Sequence, residues 1–183
     1  MKKKQFTTIM ICRAGIIAAL YVALTMPFGA LAFGPFQIRP SEALTLLPLF
    51  YIEAIPGLYI GCILANAMSA YGVYDVFLGS LATLLAALCT YACGRIFKNL
   101  PLKIIFGGVF PVICNAFIVP AVWLLAGSDI AYWYQFGCMV LNEGVWVYAL
   151  GVPMCVTVAA LIKKRVKGMM PYSRIYTKFS EKP

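Results

Sequence analysis

The sequence predicts an all-α integral membrane protein with six transmembrane helices and both termini in the cytoplasm. Of the 183 residues, 63% are hydrophobic and only 11% are charged. Soluble domains carry charge on about a quarter of their residues, so a lipid bilayer is the expected solvent for this much apolar surface. The formal net charge is +9. Its cations cluster at the chain ends and in one loop, which is typical of cytoplasmic segments and not of a nucleic-acid-binding surface.

The predicted helices alternate with basic inner segments and nearly uncharged outer segments. Lys2–Lys4 precede the first helix, Arg95–Lys103 form a basic inner loop, and the run Lys163–Lys167 follows the last helix. We expect one membrane domain over residues 1–167 and a cytoplasmic tail over residues 168–183. The six predicted helices run approximately over Thr8–Pro27, Ser41–Ile55, Pro56–Tyr71, Val76–Phe97, Ile104–Ala126 and Phe136–Ile162.

Predicted helix 2 is short for a membrane span, which needs about 20 residues. It is therefore expected to tilt inside the bundle, to gain depth from the outer loop Phe28–Pro40, or to be re-entrant. We expect Glu53, near its inner end, at the membrane interface, and Asp75 at the N-cap of helix 4. Gly127–Gln135 is a predicted outer loop.

A few polar side chains lie within or beside the apolar helices and need an explanation, because a charge at mid-membrane costs roughly 2.5–3.5 kcal/mol. Arg39 and Glu42 form either an ion pair that fixes the loop to helix 2 or the mouth of a binding pocket. Glu143 is a partner of Arg39, an interfacial carboxylate or a ligand contact. The candidate binding residues are Arg39, Glu42, Asn66, Asn115, Asn142, Glu143 and Trp146.

These polar residues favour a pocket that opens to the outside. The predicted topology places Arg39, Glu42, Asn142 and Glu143 toward the outer face, whereas a channel lining would place polar groups at all depths. Trp146 lies three residues after Glu143 and shares its helix face. A carboxylate beside an aromatic plane suits a flat heterocycle with N–H donors, although packing or lipid contact would also explain the tryptophan. For the buried asparagines, interhelical hydrogen bonds are the alternative.

Helix 1 carries small residues at a spacing that allows another helix to approach closely. The strip is compatible with packing inside the chain or with docking of a partner subunit. Its residues are Gly15, Ala19 and Ala23, with Ala14 and Ala18 beside them.

The sequence favours transport over catalysis. The seven cysteines are scattered, the chain has no histidine, and no metal-ligand set, cofactor motif or nucleophile–base pair is recognisable. We therefore predict no catalytic residue, metal or cofactor. The chain also lacks the GxxxxGK[ST] loop of ATP-binding proteins. A self-sufficient secondary transporter is an alternative, which the lack of a duplicated half argues against; an intramembrane enzyme or assembly factor is another.

Three stretches carry a family resemblance: FGPFQIRPSEALTLLP (33–48), IPGLYIGCILAN (55–66) and YDVFLGSLATLLAALCTY (74–91). With these, the sequence resembles the QueT family over about Arg13–Lys164. The resemblance implies the six-helix fold of an S component, the substrate-binding subunit of energy-coupling factor (ECF) transporters, in the bacterial plasma membrane. It implies import of a queuosine precursor, a 7-deazaguanine such as the 7-aminomethyl or 7-cyano form. The implied partners are a transmembrane coupling subunit (T component) and two cytoplasmic ATPases. The family's helix 1 strip maps onto Gly15, Ala19 and Ala23.

The polar residues agree with the implied substrate. A guanine-like edge presents two N–H donors that one carboxylate can accept together. An aminomethyl cation would be stabilised by a second carboxylate. Glu42 and Glu143 supply two, and either one is a candidate for the base edge. An S component for another vitamin or nucleobase-like solute is the alternative.

Overall fold

The computed structural model describes residues 8–34, 37–69, 71–166, 169 and 171, and these residues form helices joined by short connections, without a strand. Lys2–Lys4 and all of the predicted tail except Met169 and Pro171 lie outside the described residues. The α-helices are α1 (Thr8–Thr25), α2 (Ala54–Asn66), α3 (Ser80–Ile96), α4 (Leu100–Leu125), α5 (Tyr132–Val145) and α6 (Gly151–Lys163). They are supplemented by 3₁₀-helices at Met26–Ala32 and Pro40–Leu49 and by π-turns at Asp75–Gly79 and Trp146–Leu150.

Four helical stretches of the described residues are long and apolar enough to cross a membrane: Thr8–Gly29, Asp75–Ile96, Leu100–Leu125 and Tyr132–Lys163. They correspond to predicted helices 1, 4, 5 and 6, and α2 is a shorter apolar helix. The last stretch runs through α5, a π-turn and α6, so the predicted outer loop before it ends at Ala131 instead of Gln135.

Two other helices also begin a few residues before their predicted starts at about Pro56 and about Ile104. α2 begins at Ala54, before Pro56, and α4 begins at Leu100, before Pro101. The first-turn N–H groups of a helix have no intrahelical partner, so proline is tolerated there and does not mark the boundary. α2 also ends earlier than predicted, at Asn66.

The prediction for helix 2, Ser41–Ile55, was wrong in both type and length. The chain forms a 3₁₀-helix over Pro40–Leu49, and all ten of these residues are buried. A 3₁₀-helix rises about 2.0 Å per residue, so this segment covers roughly 20 Å of depth with few residues. Pro48 lies inside it and lacks the N–H that a continuing α-helix needs. The segment is thus a central rod enclosed by the other helices, where irregular backbone is sheltered from lipid.

α1 and α2 approach closely through small residues. A Cβ added at Gly57 would lie 2.8 Å from the carbonyl oxygen of Ala14, and one at Gly61 would lie 3.0 Å from that of Ala18. Ala14 and Ala18 therefore face α2 within the chain, as the intramolecular interpretation of the strip predicted.

The opposite end of the bundle from Arg39 carries a separate ion pair. Arg13 Nη1 lies 2.6 Å from Glu53 Oε1, and Glu53 is buried. The Arg13 guanidinium also lies 5.1 Å from the centroid of the Tyr51 ring, and the Tyr51 hydroxyl donates to the Met169 carbonyl oxygen at 2.6 Å. Glu53 is thus enclosed by protein and joins α1 to the corner before α2, and its place at the membrane interface stays a prediction.

Candidate functional site

Six buried polar side chains meet between the helices, and we call them the polar cluster. They come from the residue before the central 3₁₀-helix and from its first turn, from the end of α2, from a π-turn, from the middle of α4 and from the last turn of α5. Charged groups inside a membrane domain mark functional sites more often than not. The members of the cluster are Arg39, Glu42, Asn66, Asp75, Asn115 and Glu143.

Arg39 is held from several sides. Its Nε donates to the Ala32 carbonyl oxygen at 2.7 Å, and its Nη2 donates to Asn66 Oδ1 at 3.1 Å. Nη2 also lies 3.9 Å from Asp75 Oδ2, and the guanidinium carbon lies 4.9 Å from the centroid of the Phe33 ring. The guanidinium therefore joins the loop before the 3₁₀-helix to α2 and to the first π-turn.

Glu42 is positioned by α1, and its geometry does not match the predicted ion pair with Arg39. The Tyr21 hydroxyl donates to Glu42 Oε1 at 2.5 Å. The carboxylate within ion-pair distance of Arg39 is that of Asp75, at 3.9 Å, although the charges of Arg39 and Glu42 still interact. Glu42 Oε2 is buried and has no hydrogen-bond partner among the residues that the structure describes. It is therefore able to accept an N–H group from a ligand.

Glu143 and Asn115 complete the predicted part of the cluster. Asn115 Nδ2 donates to Glu143 Oε1 at 2.9 Å, and the same amide interacts with Glu42. The charges of Glu42 and Glu143 also interact with each other. Glu143 Oε2, like that of Glu42, lacks a hydrogen-bond partner within the described part of the chain. Two carboxylates from different helices thus lie close together, each fixed through one oxygen and open at the other.

Asp75 belongs to the cluster, and the prediction that it caps a helix was wrong. It is 1% exposed, and the helix beginning there has no side-chain cap bond. A Cβ added at Gly79 would lie 2.6 Å from Asp75 Oδ1 and 3.2 Å from Asn66 Nδ2, so only glycine leaves room for this carboxylate. The sequence did contain a signal for this position, namely a glycine one turn after an aspartate at the start of a helix. In the structure, this helix start packs against Asn66.

Gln37 was also missed. Its φ of 41° lies in the left-handed region, which is unfavourable for glutamine. The side chain is buried, and neither its oxygen nor its nitrogen has a hydrogen-bond partner among the described residues. Strained backbone of this kind is concentrated at binding sites. A single amide in a loop of aromatic residues, glycine and proline was the available signal.

Two predicted site residues do not join the cluster through the described contacts. Asn142 is half-buried and donates to the Cys138 carbonyl oxygen at 3.3 Å, within its own helix. Trp146 is half-buried at the start of the second π-turn, and its buried Nε1 has no partner in the described residues. A different tryptophan, Trp123, is fully buried and stacks on Tyr71 with ring centroids 5.1 Å apart. Tyr71 interacts electrostatically with Asp75, so this aromatic pair borders the cluster.

The small-residue strip of α1 is divided between two faces. Ala14 and Ala18 face α2, whereas Gly15, Ala19 and Ala23 are exposed. A Cβ added at Gly15 would have no atom within 4 Å. Neighbouring helical positions differ by about 100° around the axis, which separates the two sets. The exposed set is the part available to another protein.

Comparison with known proteins identifies the family. The model of the QueT transporter family matches residues 11–160. The chain belongs to the QueT transporter family. This match confirms the resemblance, and together with the four long apolar helices it makes the chain a multi-pass membrane protein of a transporter family.

One curated relative is the "Queuosine precursor transporter QueT" of Lactococcus lactis subsp. cremoris (strain MG1363). It is 43% identical over 86 residues, which cover 46% of this chain and 49% of the relative. This chain therefore aligns with about half the length of that protein. No solved structure matches the chain significantly.

Proposed function

We propose that the chain is the S component of an ECF-type importer, and that it captures a queuosine precursor from outside the cell for ATP-driven uptake. The substrate would be a 7-deazaguanine such as 7-aminomethyl-7-deazaguanine or 7-cyano-7-deazaguanine. The observation that carries the proposal is the polar cluster, because Glu42 and Glu143 are buried close together and each has an open oxygen. The name of the Lactococcus relative, a queuosine precursor transporter, supports the substrate class.

The cluster offers the chemistry that a guanine-like base requires. A base edge with adjacent N–H donors is bound well by a carboxylate, which accepts two parallel hydrogen bonds. Tyr21 holds Glu42 and Asn115 holds Glu143, so neither carboxylate has to be ordered by the ligand. Gln37 has an amide that both donates and accepts, and a ring acceptor of the base would pair with its nitrogen. Asn142 and Trp146 remain candidate contacts that would need a shift of α5 or a side-chain rotation.

We place the cluster on the outer side of the membrane, in a bundle of six membrane segments with both termini in the cytoplasm. Arg39, directly before the 3₁₀-helix, meets Asn66 at the end of α2 and Asp75 at the first π-turn, so these three residues mark one end of the bundle. Arg95 lies in the last turn of α3 and Lys163 ends α6, at the other end. Inner loops rich in lysine and arginine support this orientation. The site would then collect its substrate from outside.

The exposed small-residue strip supports a partner in the membrane. Gly15, Ala19 and Ala23 form a flat surface on α1 that a helix of the coupling subunit could approach at close range. Energy would come from two cytoplasmic ATPases that bind the coupling subunit. In this arrangement the chain supplies recognition, and its partners supply the driving force.

Uptake by proteoliposomes tests the proposal. We expect the purified chain alone to give no concentrative uptake of labelled 7-aminomethyl-7-deazaguanine. Liposomes that also contain the coupling subunit and ATPases should accumulate the label only when ATP is present on the side of the membrane where the ATPases are bound. Uptake by the chain alone, driven by an ion gradient, would contradict the proposal and establish a secondary transporter. ATP-dependent uptake of a different vitamin would retain the S-component role and overturn the substrate.

A further inference from the structure

The charges of the polar cluster do not balance. Among the residues that the structure describes, the cluster contains three carboxylates, Glu42, Asp75 and Glu143, and one guanidinium, that of Arg39. Arg39 interacts electrostatically with all three. Burying charge without a counter-charge is expensive in a membrane domain, so an excess of carboxylates calls for a proton or a cation. A cationic ligand would supply the missing charge at the moment of binding.

Asp75 is the carboxylate with the most unused capacity. Neither of its oxygens has a hydrogen-bond partner in the described part of the protein, although both are buried. Its approach to Arg39, 3.9 Å between Oδ2 and Nη2, is too long for a hydrogen bond. Asn66, which donates to the Asp75 backbone carbonyl oxygen at 3.0 Å, holds the main chain and leaves the carboxylate free. The Asp75 main chain is therefore held in place, and both oxygens of its carboxylate could accept hydrogen bonds from a donor.

The structure also keeps room for this carboxylate. Gly79 lies one helical turn after Asp75, and any larger residue there would place its Cβ 2.6 Å from Oδ1. The two residues bound a π-turn, a feature that frequently occurs at functional sites. The absence of a side chain at Gly79 thus leaves the space that the Asp75 carboxylate occupies.

Asp75 stands apart from the other two carboxylates. Glu42 and Glu143 interact with each other and share Asn115, whereas Asp75 interacts with Arg39 and Tyr71. The cluster therefore has two acidic poles, one formed by Glu42 and Glu143 and the other by Asp75. The guanidinium of Arg39 interacts with both poles. A ligand that carries N–H donors at one end and an ammonium group at the other matches these two poles.

We propose that Asp75 is a ligand-binding carboxylate that accepts hydrogen bonds from an ammonium group, and that it makes the site selective for a cationic ligand over a neutral one of the same ring shape. This inference rests on the proposed function. Within the 7-deazaguanines, it assigns the base edge to Glu42 and Glu143 and the aminomethyl group to Asp75. The site accordingly prefers the 7-aminomethyl form to the 7-cyano form.

The test is a calorimetric titration of the full chain in detergent with both bases, which share one ring system and differ in charge. Wild type should bind the aminomethyl base at least about tenfold more tightly than the cyano base, a ratio that corresponds to about 1.4 kcal/mol. Asp75→Asn should weaken binding of the aminomethyl base by about tenfold or more and change that of the cyano base by less than about threefold. The ratio of the two affinities is the decisive readout, because a general loss of structure would lower both.

A second variant leaves the carboxylate in place and moves it. Gly79→Ala should reduce the same ratio, since its new Cβ displaces Asp75 Oδ1. Gly137→Ala is the matched control, because a Cβ at this helical glycine of α5 has no atom within 4 Å. The control should retain the wild-type ratio. Thermal melting of each variant in the same detergent confirms that it is folded.

The outcomes separate this inference from the proposed function. Equal affinity of wild type for the two bases would overturn the role of Asp75 and retain the 7-deazaguanine site. An equal loss of both ligands in Asp75→Asn, with Gly79→Ala retaining the wild-type ratio, would also overturn it. If wild type binds neither base while it remains folded, the proposed function fails, and this assignment fails with it.

Discussion

Glu143→Gln is the substitution whose effect follows most directly from the geometry of the site. The Asn115 amide donates to Glu143 Oε1 at 2.9 Å, and a glutamine can retain that bond through its carbonyl oxygen. The open Oε2 becomes an NH₂ group, which would face the N–H donors of the base. Hydrogen bonds to a charged group contribute about 1.5–3 kcal/mol, so affinity for 7-aminomethyl-7-deazaguanine should fall by roughly ten- to a hundredfold.

Stability should change in the opposite direction. Glu143 is buried close to Glu42, so both desolvation and the neighbouring carboxylate oppose its charge, and a neutral glutamine avoids both costs. We therefore expect Glu143→Gln to melt at the same temperature as wild type or higher. Many binding sites show this opposition, because the arrangement that suits the ligand strains the free protein.

Calorimetry and thermal melting of the same detergent samples give both readouts. Gly137→Ala is the matched control, since Gly137 lies in the same helix as Glu143 and a Cβ added there would have no atom within 4 Å. The control should bind within about threefold of wild type. Unchanged affinity of Glu143→Gln would remove this carboxylate from the site. A fall in both affinity and melting temperature would show that Glu143 is structural, and would refute the reasoning.

Three further predictions concern the walls of the bundle. Ala19→Trp should abolish co-purification of the coupling subunit and leave ligand binding unchanged, because Ala19 is exposed on α1. Ala18→Trp, in contrast, should lower the melting temperature and the yield of folded chain, because Ala18 faces α2. Gly57→Ala should destabilise the isolated chain by about 1–3 kcal/mol, since its Cβ would lie 2.8 Å from a backbone oxygen of α1 that cannot easily move. Arg13→Ala should destabilise it by roughly 1–3 kcal/mol and leave ligand affinity unchanged, because it strands the buried Glu53 at the far end of the bundle.

Each of these has a result that would contradict it. Normal co-purification of the coupling subunit with Ala19→Trp would remove α1 as the docking surface. A Gly57→Ala variant as stable as wild type in chemical or thermal unfolding would mean that α1 and α2 separate easily. A loss of ligand affinity in Arg13→Ala comparable to that in Glu143→Gln would mean that the two ends of the bundle are coupled.

Much of the site could be predicted from the sequence, because polar residues in apolar helices are few. Arg39, Glu42, Asn66, Asn115 and Glu143 were expected to need partners, and the structure brings all five together. A charged side chain in a membrane domain is stable mainly when it faces the interior of the bundle and pairs with other polar groups. The cost of burying polar and charged side chains therefore predicted correctly that these residues meet. It did not predict which residue pairs with which.

Asp75 illustrates what that reasoning could not supply. An aspartate at a helix start is ordinarily a cap, so the local pattern had a sufficient explanation. Only the packing of the first π-turn against Asn66 and Arg39 turns its side chain inward. Asn142 is the opposite case, since it lies beside Glu143 in sequence but bonds within its own helix. Neighbours in a helix point in different directions, and the sequence does not state which direction faces the core.

The α1 strip and the central rod show the same limit. Ala18 and Ala19 are equally small, and the position of α2 decides which of them is buried. For the 3₁₀-helix, the predicted helix 2 ran from Ser41 through Pro48, and the effect of this proline depended on the surrounding helices. A polar or irregular segment at membrane depth persists only when other helices enclose it, and enclosure is a property of the whole chain.

Calorimetric titration of the purified, detergent-solubilised wild-type chain with 7-aminomethyl-7-deazaguanine tests the central claim most directly, with guanine and riboflavin as controls. The polar cluster predicts one-site binding of the deazaguanine in the nanomolar to low-micromolar range and much weaker binding of both controls. Absence of binding by a sample that melts cooperatively would contradict the claim that Glu42 and Glu143 form a deazaguanine site.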